Sequence, residues 1–438
     1  MSGAKQKISI VMILSLLLLF PCTVSFGQEL ILSEPAAILV EMKSGQVLYE
    51  KGADIKWSPA STTKLMTALV AMENAALDKP MKASLKAIRA IPPDFSLAGI
   101  QPDEIMTLSD LLHFCLIISA NESSNIIAEN VSPTGDIDGF VAMMNQKAQQ
   151  LGLQNTHYTN TFGLDHENHY TTARDLSIIA RSAMQIPAFR EIVIKKTVPL
   201  PETNLKKPDD WDTWHIESTN QLLGSVSEYY TQVTGVKTGF TSTAGRCLVF
   251  SAVNDEGLEL LGVILGAQNN EILFKESKEL LEYGYKNYQY QTLISSGVFF
   301  GRYDVVDSMD NIPVEVNTLG EVTYLLPTSA ERLAAELTVE ETLNTPFTAP
   351  IHKGQILGTK TWIYQGQQIG TIQLVAMNDI EKTLTAKIRD RFREIVKDQL
   401  LRNILIISVM VIFAFILLRI ILRSVSRRRN NSRRHYRF

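Results

Sequence analysis

Thr231–Gly266 reads TQVTGVKTGFTSTAGRCLVFSAVNDEGLELLGVILG. It contains three strand-like runs, Thr231 to Gly239, Arg246 to Val253 and Leu258 to Gly266, the last two joined by the turn-forming Asn254-Asp255-Glu256-Gly257. The pattern predicts an antiparallel meander. A second β-prone pair stands near the start of the chain, where Ala36 to Met42 and Gln46 to Glu50 flank Lys43-Ser44-Gly45 and read as a hairpin. Between hairpin and meander the texture is helical. Pro59 precedes a helix-like stretch from Ser61 to about Glu73, and Ser109-Asp110 has the form of an N-cap for an apolar helix reaching Ile118. After the meander, Phe274 to Tyr285 predicts a closing helix. Helices enclosed by an early hairpin and a late meander give an α+β domain, a helical cluster plus an antiparallel sheet, whose first and last strands share that sheet.

Outward from this domain the composition changes in both directions. From about Tyr290 to Thr383 short apolar runs such as Val322-Thr323-Tyr324-Leu325-Leu326 lack helical periodicity and predict a small all-β domain, 289–384. A charged helical stalk, 385–402, leads into 403–422, in which Ile404 to Leu418 is apolar apart from Ser408. The 19 positions from Ile404 to Leu422 reach about 28 Å as a helix, close to the roughly 30 Å of a bilayer's hydrocarbon core. Arg419 can snorkel to the interface. The tail 423–438 carries seven arginines and no acid, the bias expected on the cytoplasmic side of a span. At the other end, Lys5 and Lys7, the apolar run Ile8 to Phe20, Pro21, and the small residues Ser25 and Gly27 predict a signal peptide, 1–27. Cys22 lacks the small residues before it that a lipid-attachment site needs. The chain is expected in the cell membrane as a single-pass protein, with 28–288 on the extracytoplasmic side.

Charge excludes one class of function. The net charge of −4 hides a segregation in which residues 28–401 hold 31 basic and 46 acidic side chains, a net of −15. A body that acidic does not suit nucleic acid. Signal cleavage would leave only Cys115 and Cys247, too few for a disulfide framework and read as two buried thiols.

Ser61-Thr62-Thr63-Lys64 carries the chemistry. A serine hydroxyl is a weak nucleophile until a base takes its proton. Spacing of i, i+3 on a helix brings Lys64 to Ser61, and burial with a nearby positive charge would lower the lysine's pKa into the range of a base. Alone this pattern is nearly uninformative, since Ser2-Gly3-Ala4-Lys5 matches it too. The weight lies in the ordered set Ser61-x-x-Lys64, Ser119-Ala120-Asn121 and Lys237-Thr238-Gly239, found in penicillin-binding proteins and class A β-lactamases. Lys43-Ser44-Gly45 imitates the third element in the wrong order. Ser218-Thr219-Asn220 imitates the second, but Ser119 directly follows an apolar helix that could present it to a cleft. Gly239 removes a side chain where substrate would approach, and a peptide could lie antiparallel along the strand that ends there.

On these motifs the chain resembles a low-molecular-mass penicillin-binding protein, a serine-type D-alanyl-D-alanine carboxypeptidase of the peptidase S11 family. The likeness covers about Glu34 to Tyr285. It recurs in Ser58-Pro59-Ala60-Ser61-Thr62-Thr63-Lys64-Leu65-Met66-Thr67, Phe162-Gly163-Leu164, His169-Tyr170-Thr171-Thr172-Ala173-Arg174-Asp175 and Gly235-Val236-Lys237-Thr238-Gly239-Phe240-Thr241. The resemblance implies a β-lactamase/transpeptidase-like catalytic fold with no metal and no cofactor. Its substrate would be peptidoglycan stem peptides ending in D-Ala-D-Ala, with β-lactam antibiotics as inhibitors. It makes Ser61 the acylated nucleophile, Lys64 its base and Ser119 the relay of protons to the leaving D-alanine. Asn121 would hold the substrate amide, Lys237 and Thr238 the terminal carboxylate, and the N–H groups of Ser61 and Phe240 the oxyanion. His169 falls where relatives often carry a histidine near the cleft, and the resemblance gives it a place in substrate binding and a role in deacylation. Many relatives also carry an arginine near Ala267-Gln268, where this chain has Gln268.

Three other readings compete. A β-lactamase needs a loop glutamate of the Glu-x-x-x-Asn kind, absent between Ser119 and Lys237, and has no use for a β domain and a span. A β-lactam sensor that is acylated without turnover would need a signalling domain, and a tail of 16 residues is too short for one. A transpeptidase or endopeptidase of the same fold shares the acylation machinery and differs only in what attacks the acyl-enzyme.

Overall fold

The computed structural model describes residues 30–434 other than Pro93, Asp212 and Trp214. The expected signal peptide, with Ser2 and Lys5, and the last four residues of the basic tail lie outside the described residues. The chain divides between Gln289 and Tyr290 into two units.

In the first unit, β1 (Ala36–Glu41), β2 (Val47–Lys51), β3 (Gln232–Thr241), β4 (Gly245–Val253) and β5 (Glu259–Ala267) form one antiparallel sheet in the order β2-β1-β5-β4-β3. Leu39 stands opposite Gly262 and Val249 opposite Val263, so the early hairpin and the late meander do share a sheet. Strand alternation sends Ile38, Val40, Val249, Leu261 and Val263 into the core built with the helices. Leu39 and Leu260 point the other way, against Gly284. Both faces are therefore covered, which is why these strands read as unbroken apolar runs. Each such side chain contributes about 2 kcal/mol by its burial, and a register slip of one residue would exchange the two faces.

The helices follow from local signals. Helix α1 (Lys64–Asn74) is preceded by a 3₁₀ turn, Ala60–Thr63, so Ser61 stands before the α-helix rather than within it. Helix α2 (Leu108–Leu116) starts earlier than Ser109-Asp110 suggested. Thr107 is the cap, its Oγ1 accepting the Asp110 N–H at 3.1 Å while Asp110 accepts the Thr107 N–H at 3.0 Å, a reciprocal capping box. Helix α3 (Asn121–Val131) follows at once, and α4 (Ala173–Met184) lays Leu176, Ile179 and Ala180 into the core shared with the sheet. Helix α5 (Asn270–Asn287) covers the opposite face and begins before Phe274 because Asn269 caps it, accepting from the Ile272 N–H at 2.9 Å.

The second unit holds β6 (Phe299–Tyr303), β7 (Val314–Leu319), β8 (Leu337–Leu343), β9 (Ile356–Tyr364) and β10 (Gln367–Ala376), ordered β6-β7-β10-β9-β8 around Val314, Val316, Trp362 and Leu374. One short helix, Ala330–Glu336, interrupts its β character. Beyond it α6 (Leu384–Lys397) is more than a charged stalk: Leu384, Ile388, Phe392 and Val396 are exposed at intervals of four, one apolar stripe among the charges. After a break at Asp398, α7 (Gln399–Arg434) continues, and the most apolar 18-residue stretch within Gln399–Ser426 has a mean hydropathy of 3.1 with none of it buried. Cys115 and Cys247 are buried free thiols.

Candidate active site

Pro59 and Ala60 set up the turn that displays Ser61. Ala60 has φ +46, unusual for a residue with a Cβ, and the Thr62 hydroxyl and N–H both donate to the Pro59 carbonyl, at 2.6 and 3.1 Å. Gly163 lies directly against this turn: a Cβ there would stand 1.8 Å from the Ala60 carbonyl oxygen. Thr63 is held from behind by His169 at 2.9 Å. The turn is thus fixed from three sides before any substrate arrives.

Lys64 Nζ donates to Ser61 Oγ at 2.9 Å, to Asn121 Oδ1 at 2.7 Å and to the Phe162 carbonyl at 3.0 Å, using all three of its donors. Burial, and after it the charge of Lys237, brings its pKa down to about 7. Near neutrality it therefore spends much of its time uncharged, with a lone pair available for the Ser61 proton.

Ser119 lies in the α2–α3 connection, just before Ala120, the cap of α3, with φ +64, and its buried Oγ has no partner among the described residues. Asn121 opens α3 and uses its amide to join two walls, accepting from Lys64 and donating to the Ser96 carbonyl at 2.9 Å. The Glu122 carboxylate accepts from the N–H groups of Ala98 and Gly99, at 2.6 and 3.1 Å, and so pins the loop that carries Phe95 and Ser96.

The opposite wall is β3, the edge strand of the sheet. Gly239 allows it to approach the Ser61 turn; a Cβ there would be 3.1 Å from the N–H nitrogens of Ser61 and Thr62. Lys237 is buried, donates to the Thr238 carbonyl at 2.9 Å, and has a pKa pushed down by burial to about 8. The Thr238 hydroxyl meets that of Thr219. An edge strand with an unfilled side is a template for an extended peptide.

These walls enclose a cleft of about 500 Å³ lined by Ser61, Ser119, Asn121, Thr238, Gly239 and Phe240, together with Phe95, Phe162, Asp165, Thr219 and Arg246. A second cavity of about 580 Å³, beside Phe114 and Trp211, holds none of the motif residues. Lys64 and Lys237 sit behind the cleft wall. His169 does not line the cleft: it is buried, its Nδ1 accepts the Thr159 N–H at 3.0 Å, and burial pushes its pKa down to about 4. Gln268 is exposed and outside the cleft, while Arg246 stacks on Phe240 with 3.8 Å from its guanidinium carbon to the ring centre.

Sequence reasoning passed over Thr219, Asp165 and Arg246. For Thr219 a signal existed, since Ser218-Thr219-Asn220 had been weighed as a rival to Ser119, and both segments reach the same cleft. Asp165 immediately follows Phe162-Gly163-Leu164. Arg246 carries no local signal, because only the β3–β4 pairing places it beside Phe240.

Comparison with known proteins gives the family. Residues 26–269 match the family model of peptidase S11, D-alanyl-D-alanine carboxypeptidase, and 288–382 match that of the penicillin-binding protein 5 C-terminal domain. The D-alanyl-D-alanine carboxypeptidase DacF of Bacillus subtilis is 30% identical over 358 residues, 81% of this chain and 87% of the relative. DacC of Escherichia coli is 29% identical over 79% of this chain and 84% of its own length. Among solved structures, penicillin binding protein 5 from Haemophilus influenzae is similar with a TM-score of 0.59 and 26% identity, covering 81% of this chain and 99% of that one. The Streptomyces K15 DD-transpeptidase is similar with a TM-score of 0.54 and 27% identity, covering 58% of this chain and 98% of that one. With a cleft that joins Ser61, Lys64, Ser119 and the Lys237-Thr238-Gly239 strand, and with a family match over more than half its length, the chain belongs to the peptidase S11 family of D-alanyl-D-alanine carboxypeptidases.

Proposed function

We propose that the enzyme removes the terminal D-alanine from peptidoglycan stem pentapeptides through an acyl-enzyme on Ser61, while anchored to the cytoplasmic membrane by α7. The 2.9 Å contact between Lys64 Nζ and Ser61 Oγ, in a lysine whose pKa is about 7, carries this reading. Substrate lies antiparallel along β3, its terminal carboxylate at Lys237, Thr238 and Thr219. Lys64 takes the Ser61 proton as Oγ attacks the carbonyl of the penultimate D-alanine. The developing oxyanion is held by the N–H groups of Ser61 and Phe240. Collapse breaks the peptide bond, and Ser119 delivers a proton to the departing amine. Water then cleaves the ester and regenerates Ser61. A β-lactam enters the same sequence as far as the acyl-enzyme, so penicillin should label the serine.

The catalytic unit works outside the membrane and the arginine-rich end of α7 inside. Likeness to the Streptomyces DD-transpeptidase keeps a second outcome in view, attack on the acyl-enzyme by an amine instead of water. The deciding experiment incubates the purified protein with a pentapeptide ending in D-Ala-D-Ala, with and without an acceptor amine, and follows products by mass. Free D-alanine with tetrapeptide supports the carboxypeptidase reading. Crosslinked product without tetrapeptide supports transpeptidation, and no product from either overturns both.

A further inference from the structure

Arg246 is a cleft cation that the acylation steps leave unused. Its guanidinium lies over the Phe240 ring at 3.8 Å from the centre, and no carboxylate among the described residues forms an ion pair with it. Across the same end of the cleft stands Asp165, whose Oδ1 accepts from the hydroxyls of Ser58 and, at 3.0 Å, Thr241, leaving Oδ2 unpartnered among the described residues. The two groups are oriented by different partners, one by an aromatic face and one by two hydroxyls. A cleft that received only D-alanine residues would have no use for a free cation and a free anion together.

Their place along β3 says what they meet. A peptide antiparallel to β3 with its terminal carboxylate at Lys237 and Thr238 runs its earlier residues toward Phe240 and Thr241. Three steps of strand from Thr238 to Thr241 cover about 10 Å at roughly 3.3 Å per residue. That distance brings the residue preceding the two D-alanines alongside Phe240, Thr241 and Arg246. Arg246 pairs across the sheet with Phe240 on one side and Ala267 on the other, so it stands two strand positions beyond Thr238, on the acyl side of the terminal carboxylate.

We propose that Arg246 and Asp165 form a specificity subsite for the free end of a diamino-dicarboxylic side chain at the third position of the stem peptide, where one carbon carries both an ammonium and a carboxylate. Arg246 takes the carboxylate and Asp165 Oδ2 the ammonium. A side chain ending in an ammonium alone satisfies Asp165 and leaves Arg246 unpaired. This inference rests on the carboxypeptidase reading and deepens it.

The test uses two peptides ending in D-Ala-D-Ala that differ only at the third residue, one with an amino-acid side-chain end and one with a plain amine. Wild-type enzyme should favour the first by about tenfold in kcat/KM, the size of one charge-assisted hydrogen bond. Arg246→Gln should bring the ratio close to one, Arg246→Lys should restore part of it, and Asp165→Asn should lower kcat/KM for both peptides. Asparagine keeps an oxygen for Ser58 and Thr241, and penicillin labelling of each variant checks that the cleft is intact. A wild-type ratio near one, or an unchanged ratio in Arg246→Gln, overturns the subsite while leaving the carboxypeptidase standing. Release of D-alanine from neither peptide by the wild type overturns the activity, and the subsite with it.

Discussion

Lys237 depresses the pKa of Lys64 from within the same buried core: the two ammonium groups share a low-dielectric region, and the charge of one disfavours protonation of the other. The proposed base and the proposed anchor of the substrate carboxylate are therefore electrostatically linked.

Activity should accordingly follow a bell in pH. Lys64 must be neutral to accept the Ser61 proton, so kcat/KM rises as pH passes through about 7. Lys237 serves the carboxylate only while charged, so kcat/KM falls as pH passes above about 8. The two limbs belong to the pair jointly. Lys237→Gln should remove the falling limb, lower the maximum, and move the rising limb to higher pH, because Lys64 loses the repulsion that held its pKa down. A rising limb that stays in place in Lys237→Gln would show that the lysines are not coupled.

Covalent labelling by penicillin should occur at one residue. Ser61→Ala should abolish it with the fold unchanged, and peptide mapping of the wild-type adduct should return Ser61. Lys64→Ala should slow acylation on the order of 10²–10⁴-fold, the usual range for loss of a general base. Normal acylation in Lys64→Ala would refute its role as base.

His169 should matter to stability instead of chemistry. It accepts from Thr159 and touches Thr63 on the far side of the nucleophile turn, and it is accommodated as the neutral ring. His169→Ala should cost about 2–4 kcal/mol from the cavity and the lost hydrogen bonds, while the pH dependence of kcat/KM in the surviving folded protein keeps its shape. The sign of the linkage is fixed by a folded pKa of about 4 against an unfolded value near 6.5. Between those values the unfolded chain binds more protons, so this contribution to stability is full above about 6.5 and lost as pH falls toward 4, at no more than about 1.4 kcal/mol per pH unit. Urea titrations of wild type and His169→Ala at pH 7 and pH 5 measure the difference; an equal loss in both proteins on acidification would remove His169 from the account.

Strands declared themselves in the sequence because both faces of the sheet are buried, and runs such as Leu248-Val249-Phe250 have no polar interruption to confuse the reading. Helix starts were less legible. Thr107 and Ser109 are both good caps, and the choice between them depends on Leu108 being wanted in the core. In the site, Ser61, Lys64 and Lys237 were legible because each lies in a short ordered motif. Asp165 was not, since it meets Thr241 from a segment 76 residues away; Arg246 depends on the exact β3–β4 register, and Thr219 shows only as the middle of a motif that Ser119 outweighs. The stripe on α6 was hidden by its charges, which dominate the composition of 384–397 while leaving every fourth position apolar.

Gly163 should tolerate no side chain. With φ +98 and only 1.8 Å between an added Cβ and the Ala60 carbonyl, Gly163→Ala must push the Ser61 turn away from its place. The expected cost is about 3 kcal/mol, accompanied by slower penicillin acylation because Ser61 moves relative to Lys64. Gly152, with φ +73 and open space around it, is the control: Gly152→Ala carries only the backbone strain and should leave acylation at the wild-type rate. Equal acylation rates in the two variants would show that the packing of Gly163 does not position the nucleophile.

Helix α7 should decide where the enzyme resides. The most apolar 18-residue stretch within Gln399–Ser426 has no buried part and a mean hydropathy of 3.1, a surface that water does not tolerate and a bilayer does. Cutting the chain after Asp398 keeps the first unit and all the strands of the second and removes this surface, so the product should release D-alanine from a free pentapeptide at the full-length rate. The truncated chain still carries α6, whose Leu384, Ile388, Phe392 and Val396 form a stripe that can lie in a membrane interface. It should therefore bind vesicles weakly and reversibly, and replacing Ile388 and Phe392 with serine should abolish that residual binding. Full-length protein should resist extraction by carbonate, with a tag after Phe438 protected from protease added outside intact spheroplasts. Digestion of the tag from outside would place the arginine-rich end on the wrong side for a single span and make α7 an interfacial helix on the outer leaflet.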